Sequence, residues 1–446
     1  MPHQTIPFSP HTLDFVFLSF EGPDQPYSQA GGLGVRVTHL TRTLARHGFE
    51  THLIFVGDPS LPGKELREDG HLHLYRWCQW ISSYHPSGVY AAEAEKTSDY
   101  QNSVPGFVTQ TIIKPAVAAG RRIAVIAEEW HTAKTLIRLS DSLHSSGIRD
   151  TSVLLWNANN DMSFDRINWK RLDSAAAFGT VSRYVKAQMR NEGVEPLLIP
   201  NGIPENLLNP VPSEDVAVLR KAMGPSPWFF KIGRMDPDKG WRPAIEAVNR
   251  LRKTGHRARL VIKSGDRSEH GSEVYDLMSR FGLNRTNLRT DDRSTGGIAT
   301  ALRAADPDSA VLNLDFFLPD STLPVLYAAS NGVLANSSYE PFGLVGLETM
   351  AAGGIAYVGS TGEDYALSLR NCIALDSSND PEELVQAIML LHRDAALEAQ
   401  IRSHARMTAQ LHTWDVVIPI LLEKLRLAAG RQRMRGLSHQ TPSAPQ

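Results

Sequence analysis

The sequence predicts an α/β protein built from two doubly wound Rossmann-like domains facing each other across a cleft. Three observations carry this. Short apolar, β-rich runs alternate with helical patterns along the whole chain, as in βαβ units of parallel sheets. A proline-rich stretch, IPNGIPENLLNPVP at 199–212, interrupts that alternation near the middle, and prolines with an Asn-Gly turn mark a connection rather than an element. The length, 446 residues, exceeds one ordinary hydrophobic core.

Residues 13–20 read as the first strand, and a Gly-rich loop leads into a helix with Leu33, Val37, Leu40 and Leu44 on one face. Buried strands follow at 51–56, 123–127, 153–156 and 176–181. After the connection the alternation restarts with strands at 228–232, 260–263, 310–314, 332–335 and 355–358. Helices are expected from Trp241, near Tyr275 and over 344–352. The segment 287–308 is polar and turn-rich and reads as a surface excursion. This divides the chain into a first domain at 1–203 and a second at 204–411. A C-terminal helix at 412–430 is expected to pack back on the first domain, and 431–446 to be a flexible tail. Strand ends from both sheets would open toward the cleft, the expected ligand site.

Composition narrows the class. Hydrophobic residues make up 42% and charged residues 21%, an ordinary globular profile. A formal charge of −2 argues against a general nucleic-acid binder. Cys78 and Cys372 are far apart and form neither a metal-ligand spacing nor a disulfide framework, which fits a reducing, cytoplasmic location. Residues 1–10 lack the pattern of a signal peptide, and no apolar run approaches the ~20 residues needed to span a bilayer. Arg431, Arg433 and Arg435 form a basic tail. It could make weak contact with an anionic membrane surface, although a frayed, solvated terminus is the favoured reading.

Four motifs carry chemistry. Ala30-Gly31-Gly32-Leu33-Gly34 lies between a strand and a helix, where glycines let backbone N–H groups approach an anion at a helix N-terminus. It lacks the third glycine of the dinucleotide fingerprint, and a plain tight turn also accounts for it. Lys231-Ile232-Gly233-Arg234 runs into Asp236-Pro237-Asp238-Lys239-Gly240 after the first strand of the second domain. An arginine fork and a lysine point charge at a strand's C-terminal end suit a diphosphate; surface charge is the alternative. Glu340-Pro341-Phe342-Gly343-Leu344 continues to Glu348, putting one carboxylate in a loop and another on the helix that follows. Carboxylates accept hydrogen bonds from pairs of sugar hydroxyls, and the helix N-terminus between them favours a phosphate. Glu129-Trp130-His131-Thr132 follows a strand, placing a histidine where it meets a polar ligand or serves the structure. Tyr75, Trp77, Trp80 and Tyr84 are close in sequence, either a stacking surface for an acceptor sugar or core aromatics.

Together these residues resemble the retaining glycosyltransferases of family 4 and the related bacterial glycogen and starch synthases. The resemblance spans roughly residues 15–429 in the expected order, with Val181-Ser182 and 199–203 matching the segments that close the first domain. It implies the GT-B fold and hexosyl transfer from a nucleoside-diphosphate sugar to a carbohydrate or other hydroxyl acceptor. It also implies independence of metal ions and other cofactors. By the same resemblance Arg234 and Lys239 hold the diphosphate, Glu340 the transferred sugar and Glu348 the ribose. His131 lies beside the sugar, and Gly32, Leu33, Gly34, Phe342, Gly343 and Leu344 form the donor-binding loops. The synthases carry a lysine two positions before the double glycine, where this chain has Gln29, which sets it apart from starch and glycogen synthesis. A nucleotide-sugar epimerase, a phosphorylase or a non-catalytic sugar-nucleotide-binding protein could share this fold.

Overall fold

The computed structural model describes residues 8–28, 31–264 and 269–438. Two compact units result. One takes the chain up to Gly202 and again from Trp414, and the other is Ile203–Thr413.

The first unit is an eight-stranded sheet. Its strands are β1 (Leu13–Leu18), β2 (Thr51–Val56), β3 (Lys64–Arg67), β4 (Leu72–Trp77), β5 (Arg122–Glu128), β6 (Ser152–Ala158), β7 (Ala177–Thr180) and β8 (Leu197–Leu198). Their order is β3-β4-β2-β1-β5-β6-β7-β8, parallel except for β3, which pairs antiparallel with β4 at the edge. Every residue of β1, β2 and β6 is buried, as expected of parallel strands covered by helices on both faces. Val16, Leu18, Ile54 and Val125 point into one layer, and Phe15, Phe17, Leu53 and Phe55 into the other.

The helices Gly32–Arg46 and Trp414–Ser438 share that second layer, with Val37, Leu40 and Leu44 beside Trp414, Ile418, Leu421 and Leu425. Gly202 is required where the chain passes Trp414, because a Cβ there would lie 2.7 Å from the indole Cδ2. The expected tail at 431–446 needs correction, since the terminal helix continues to Ser438. The side chains of Arg433 and Arg435 lie outside the described residues.

The second unit is a seven-stranded parallel sheet. Its strands are β9 (Trp228–Gly233), β10 (Arg259–Ser264), β11 (Arg285–Leu288), β12 (Val311–Leu314), β13 (Gly332–Ala335), β14 (Ala356–Val358) and β15 (Ile373–Ala374). The order is β11-β12-β10-β9-β13-β14-β15. Strand order reverses at β1/β5 in the first unit and at β9/β13 in the second. The loops leaving those strands therefore start side by side, and such switch points are where doubly wound sheets bind ligands.

The expected surface excursion at 287–308 is overturned. This stretch contains part of β11 and the helix Thr295–Ala304, whose Ile298, Ala299 and Leu302 are buried against Leu219, Met223 and Leu312. Its polarity is local punctuation. Ser294 caps the helix by accepting from the Gly297 N–H at 3.2 Å. Gly297 allows close approach to the Asp292 carbonyl, which a Cβ would meet at 2.1 Å. Leu302→Ala should therefore lower unfolding free energy by about 2–5 kcal/mol in denaturant titrations. A loss under about 0.5 kcal/mol, typical of exposed sites, would contradict this packing.

Candidate functional site

In the second unit, the loops after β9 and β13 are locked together. Gly240, at φ 62°, starts the helix Trp241–Lys253. A Cβ there would lie 1.9 Å from the Asn336 carbonyl oxygen, so only glycine lets the loops close. Asn336 Nδ2 donates to the Gly240 carbonyl at 3.1 Å, and the Ser338 N–H to the Asp238 carbonyl at 2.7 Å.

This clamp brings Lys239 Nζ within 3.2 Å of both Glu340 Oε2 and Asp238 Oδ2. Burial works against the ammonium, but the carboxylates of Glu340 and Asp238 outweigh it and hold the Lys239 pKa above its ordinary value. Arg234 is more exposed and pairs with Asp236 at 3.0 Å. Both halves of Asp236-Pro237-Asp238 are thus partners of the loop's own cations. In Asp306-Pro307-Asp308 the Asp306 carboxylate accepts from the Asp308 N–H at 2.9 Å, a turn contact.

Gly343, at φ 83°, begins the helix Leu344–Ala351. The helix directs its first N–H groups toward the loop that carries Glu340, a favourable end for an anion. Phe342 needs a correction, because its ring is buried and packs edge-on to Tyr365 with centroids 5.7 Å apart; it anchors the loop. Leu344 is half-buried in the first turn. Glu348 Oε2 accepts from the Tyr327 hydroxyl at 3.3 Å. Burial raises its pKa to about 7, with the Tyr327 bond opposing and Asp320 reinforcing. It is not a freely solvated helix glutamate.

One cavity of this unit is lined by Lys231, Lys239, Ser337, Glu340, Gly343 and Glu363 among others. Three of these, Lys231, Ser337 and Glu363, carry no role in the sequence reading. Lys231 is buried, donates to the Leu334 carbonyl and Asn336 Oδ1 at 2.8 Å each, and lies 5.1 Å from the Trp241 ring centroid. Burial and then Lys239 push its pKa down to about 7. A lysine inside the otherwise apolar strand WFFKIG was the available signal. Glu363, in the turn after β14, had none.

In the first unit, the Gly-rich loop is engaged from within. Gln29 and Ala30 lie outside the described residues. Gly31 caps the helix Gly32–Arg46, and Leu33 packs on the core. The Gly34 N–H donates to Glu21 Oε2 at 2.8 Å, so the amide expected to face an external anion already holds a carboxylate. A Cβ on Gly31 or Gly32 would meet nothing within 4 Å among the described residues.

His131 stands in the first turn of the helix Glu129–Ser145. Its ring is buried, stacked on Phe20 at 4.2 Å and Trp130 at 3.9 Å. Nε2 lies 2.8 Å from Glu93 Oε1, whereas Nδ1 is buried without a hydrogen-bond partner among the described residues. Burial lowers its pKa despite Glu93. Beneath it, Glu128 pairs with Arg36 at 3.1 Å and accepts from Asn157 and Asn159. Glu129 adopts a left-handed φ of 67° and accepts from the Asn159 N–H at 2.7 Å. The sequence reading gave none of these carboxylates a role, although Glu129 opens the segment around His131.

The four aromatics separate. Tyr75 and Trp77, on β4, pack with Phe107 in the core, and Trp80 and Tyr84 are exposed on the short helix Gln79–Tyr84. Among the described residues, one group has metal-ligand chemistry, Glu50, His52 and His73. His52 and His73 lie near the N-terminal ends of β2 and β4, the edge opposite the ligand loops. No helix among the described residues is long and apolar enough to cross a membrane.

No family model matches the sequence. The chain is 25% identical over 240 residues to mannosylfructose-phosphate synthase of Agrobacterium fabrum, covering 53% of this chain and 48% of that protein. It thus spans about half the length of the curated relative it matches. Among solved structures, sucrose-phosphate synthase from Thermosynechococcus elongatus superposes with a TM-score of 0.68 at 18% identity, covering 94% of this chain and all of that one. HepE from Anabaena, solved in complex with UDP, gives 0.62 at 15% identity over 93% and 99% of the two chains. These likenesses establish the GT-B fold, with two Rossmann-like parallel-sheet units.

Glu129 supplies a pH test of the first unit's buried carboxylates. Burial raises its pKa from 4.5 to about 8, with Glu128 and Glu21 adding to the rise against the Asn159 bonds. The folded chain therefore binds this proton more tightly than the unfolded chain, and stability falls between about pH 4.5 and 8. Glu129→Gln keeps an acceptor for the Asn159 N–H and removes the charge. Its gain in Tm over wild type should be small at pH 5 and largest at pH 9. A pH-independent difference would contradict the assignment.

Proposed function

We propose that the chain is a retaining, metal-independent hexosyltransferase, resembling family 4, that uses a nucleoside-diphosphate sugar and a hydroxyl acceptor. The observation that carries this reading is the Lys239–Glu340 pair, held between the loops after β9 and β13 at the start of the helix Leu344–Ala351. A cation, a carboxylate and a helix N-terminus in that order suit a diphosphate with a sugar attached. The likeness to mannosylfructose-phosphate synthase supports the same class. The UDP held by HepE makes UDP the first base to try.

As the acceptor hydroxyl attacks the anomeric carbon, the bond from that carbon to the phosphate oxygen breaks. Charge builds on the leaving β-phosphate, and the acceptor's proton passes to it. Lys239 and Arg234 stabilise that charge, exchanging their present carboxylate partners for phosphate oxygens. Glu340 takes sugar hydroxyls and Glu348 the ribose. The family resemblance gives His131 of the first unit a place beside the sugar; its Nδ1 has no hydrogen-bond partner among the described residues. The pairing of Asp236 and Asp238 with Arg234 and Lys239 supports the metal-independent route, since both carboxylates already have cationic partners.

Thermal unfolding with UDP-, GDP- and ADP-hexoses tests the donor class. A bound donor at a hundredfold over its Kd should stabilise the fold by about 2.7 kcal/mol. With the identified donor, Arg234→Ala should slow transfer about 100-fold or more, and activity should persist in excess chelator. Donor breakdown to an epimer without any acceptor would replace this reading with an epimerase. Loss of activity on chelation, restored by Mg²⁺, would assign Asp236 and Asp238 to a metal.

A further inference from the structure

We propose that Glu363 is a second sugar-binding carboxyl of this site, taking a hydroxyl of the group carried on the diphosphate. The proposal rests on the donor-site reading above and concerns a residue outside the motifs that support it.

The turn bearing Glu363 is bonded to the loop bearing Glu340. The Gly362 N–H and the Thr361 hydroxyl each donate to the Glu340 carbonyl at 2.9 Å. Both side chains then flank Gly343. A Cβ on that glycine would lie 2.7 Å from Glu363 Cγ and 3.3 Å from Glu340 Cγ. The absence of a side chain at Gly343 is therefore what lets the two carboxyls share one cavity with Lys239.

Within that cavity they are not equivalent. Glu340 is engaged by Lys239 and is an acceptor. Glu363 is 6% exposed, and its Oε2 accepts from the Thr361 N–H at 3.0 Å. Its Oε1 has no hydrogen-bond partner among the described residues. A buried polar atom left unpaired destabilises a fold, and native structures seldom retain one without a use. Burial raises the Glu363 pKa to about 7, and Glu340 adds to the rise against the backbone bonds, so the group is mainly protonated below about pH 7. A protonated carboxyl both donates and accepts, matching a sugar hydroxyl. A deoxy position offers nothing to it.

Calorimetric titrations with UDP, GDP and ADP, and with UDP-glucose, GDP-mannose and ADP-glucose, test this in wild type, Glu363→Ala and Glu363→Gln. Glu363→Ala should bind the free diphosphate within about twofold of wild type and the matching sugar nucleotide about tenfold or more weaker. Glu363→Gln, which keeps the acceptor for Thr361, should fall between. In the 2-, 3-, 4- and 6-deoxy series of that donor, the analogue lacking the contacted hydroxyl should bind wild type and Glu363→Ala alike. Equal weakening of diphosphate and sugar nucleotide in both variants would make Glu363 a purely structural residue and overturn the proposal. So would unchanged binding of both ligands. Wild-type chain that binds none of the six nucleotides would overturn the donor site itself, and this proposal with it.

Discussion

The site of the second unit depends on one ion pair, Lys239 with Glu340, and on the glycine that permits it. Lys239 leaves β9 and Glu340 leaves β13, neighbours at the point where strand order reverses. Gly240 lets the two loops meet, because any Cβ there would strike the Asn336 carbonyl. Once the loops are fixed, the start of the helix Leu344–Ala351, the turn after β14 and Lys231 beneath them take their places. The ammonium is held charged and aimed without being exhausted, since its partners are carboxylates that a phosphate can replace.

The first unit uses the same device. At its own switch point, β1 with β5, Glu21 occupies the Gly34 amide at the start of the helix Gly32–Arg46. In both units a carboxylate from the chain satisfies groups suited to an anionic ligand. Such pairing matters because backbone donors and buried cations are costly to leave unpaired. It also sets a competition that any incoming anion must win.

The central β-runs of both sheets were legible because buried parallel strands are apolar on both faces and need no partner information, whereas β3, β4, β8, β11 and β15 were not singled out. Arg234, Lys239, Glu340 and Glu348 were singled out as candidates through spacing, and the structure adds that Lys239 and Glu340 touch. The helix Thr295–Ala304 was not, since Ile298 and Leu302 are its only large apolar side chains and Gly296 and Gly297 resemble a turn. Phe342 looked like a ligand contact because it lies between two functional residues, although its ring belongs to the core. Glu21 and Glu363 were invisible for a different reason, and Glu129 was read only as the start of the segment around His131. Their importance comes from burial and from partners distant in sequence, which no local pattern encodes.

The central claim is that Glu340 pairs with Lys239 and yields it to the diphosphate when donor binds. Calorimetric titration of the stabilising nucleoside diphosphate into Glu340→Gln measures this directly. With the competing charge removed, Lys239 should be freer to pair with phosphate, so affinity should equal or exceed that of wild type. Affinity about tenfold or more below wild type would mean that Glu340 supports diphosphate binding, and would contradict the account.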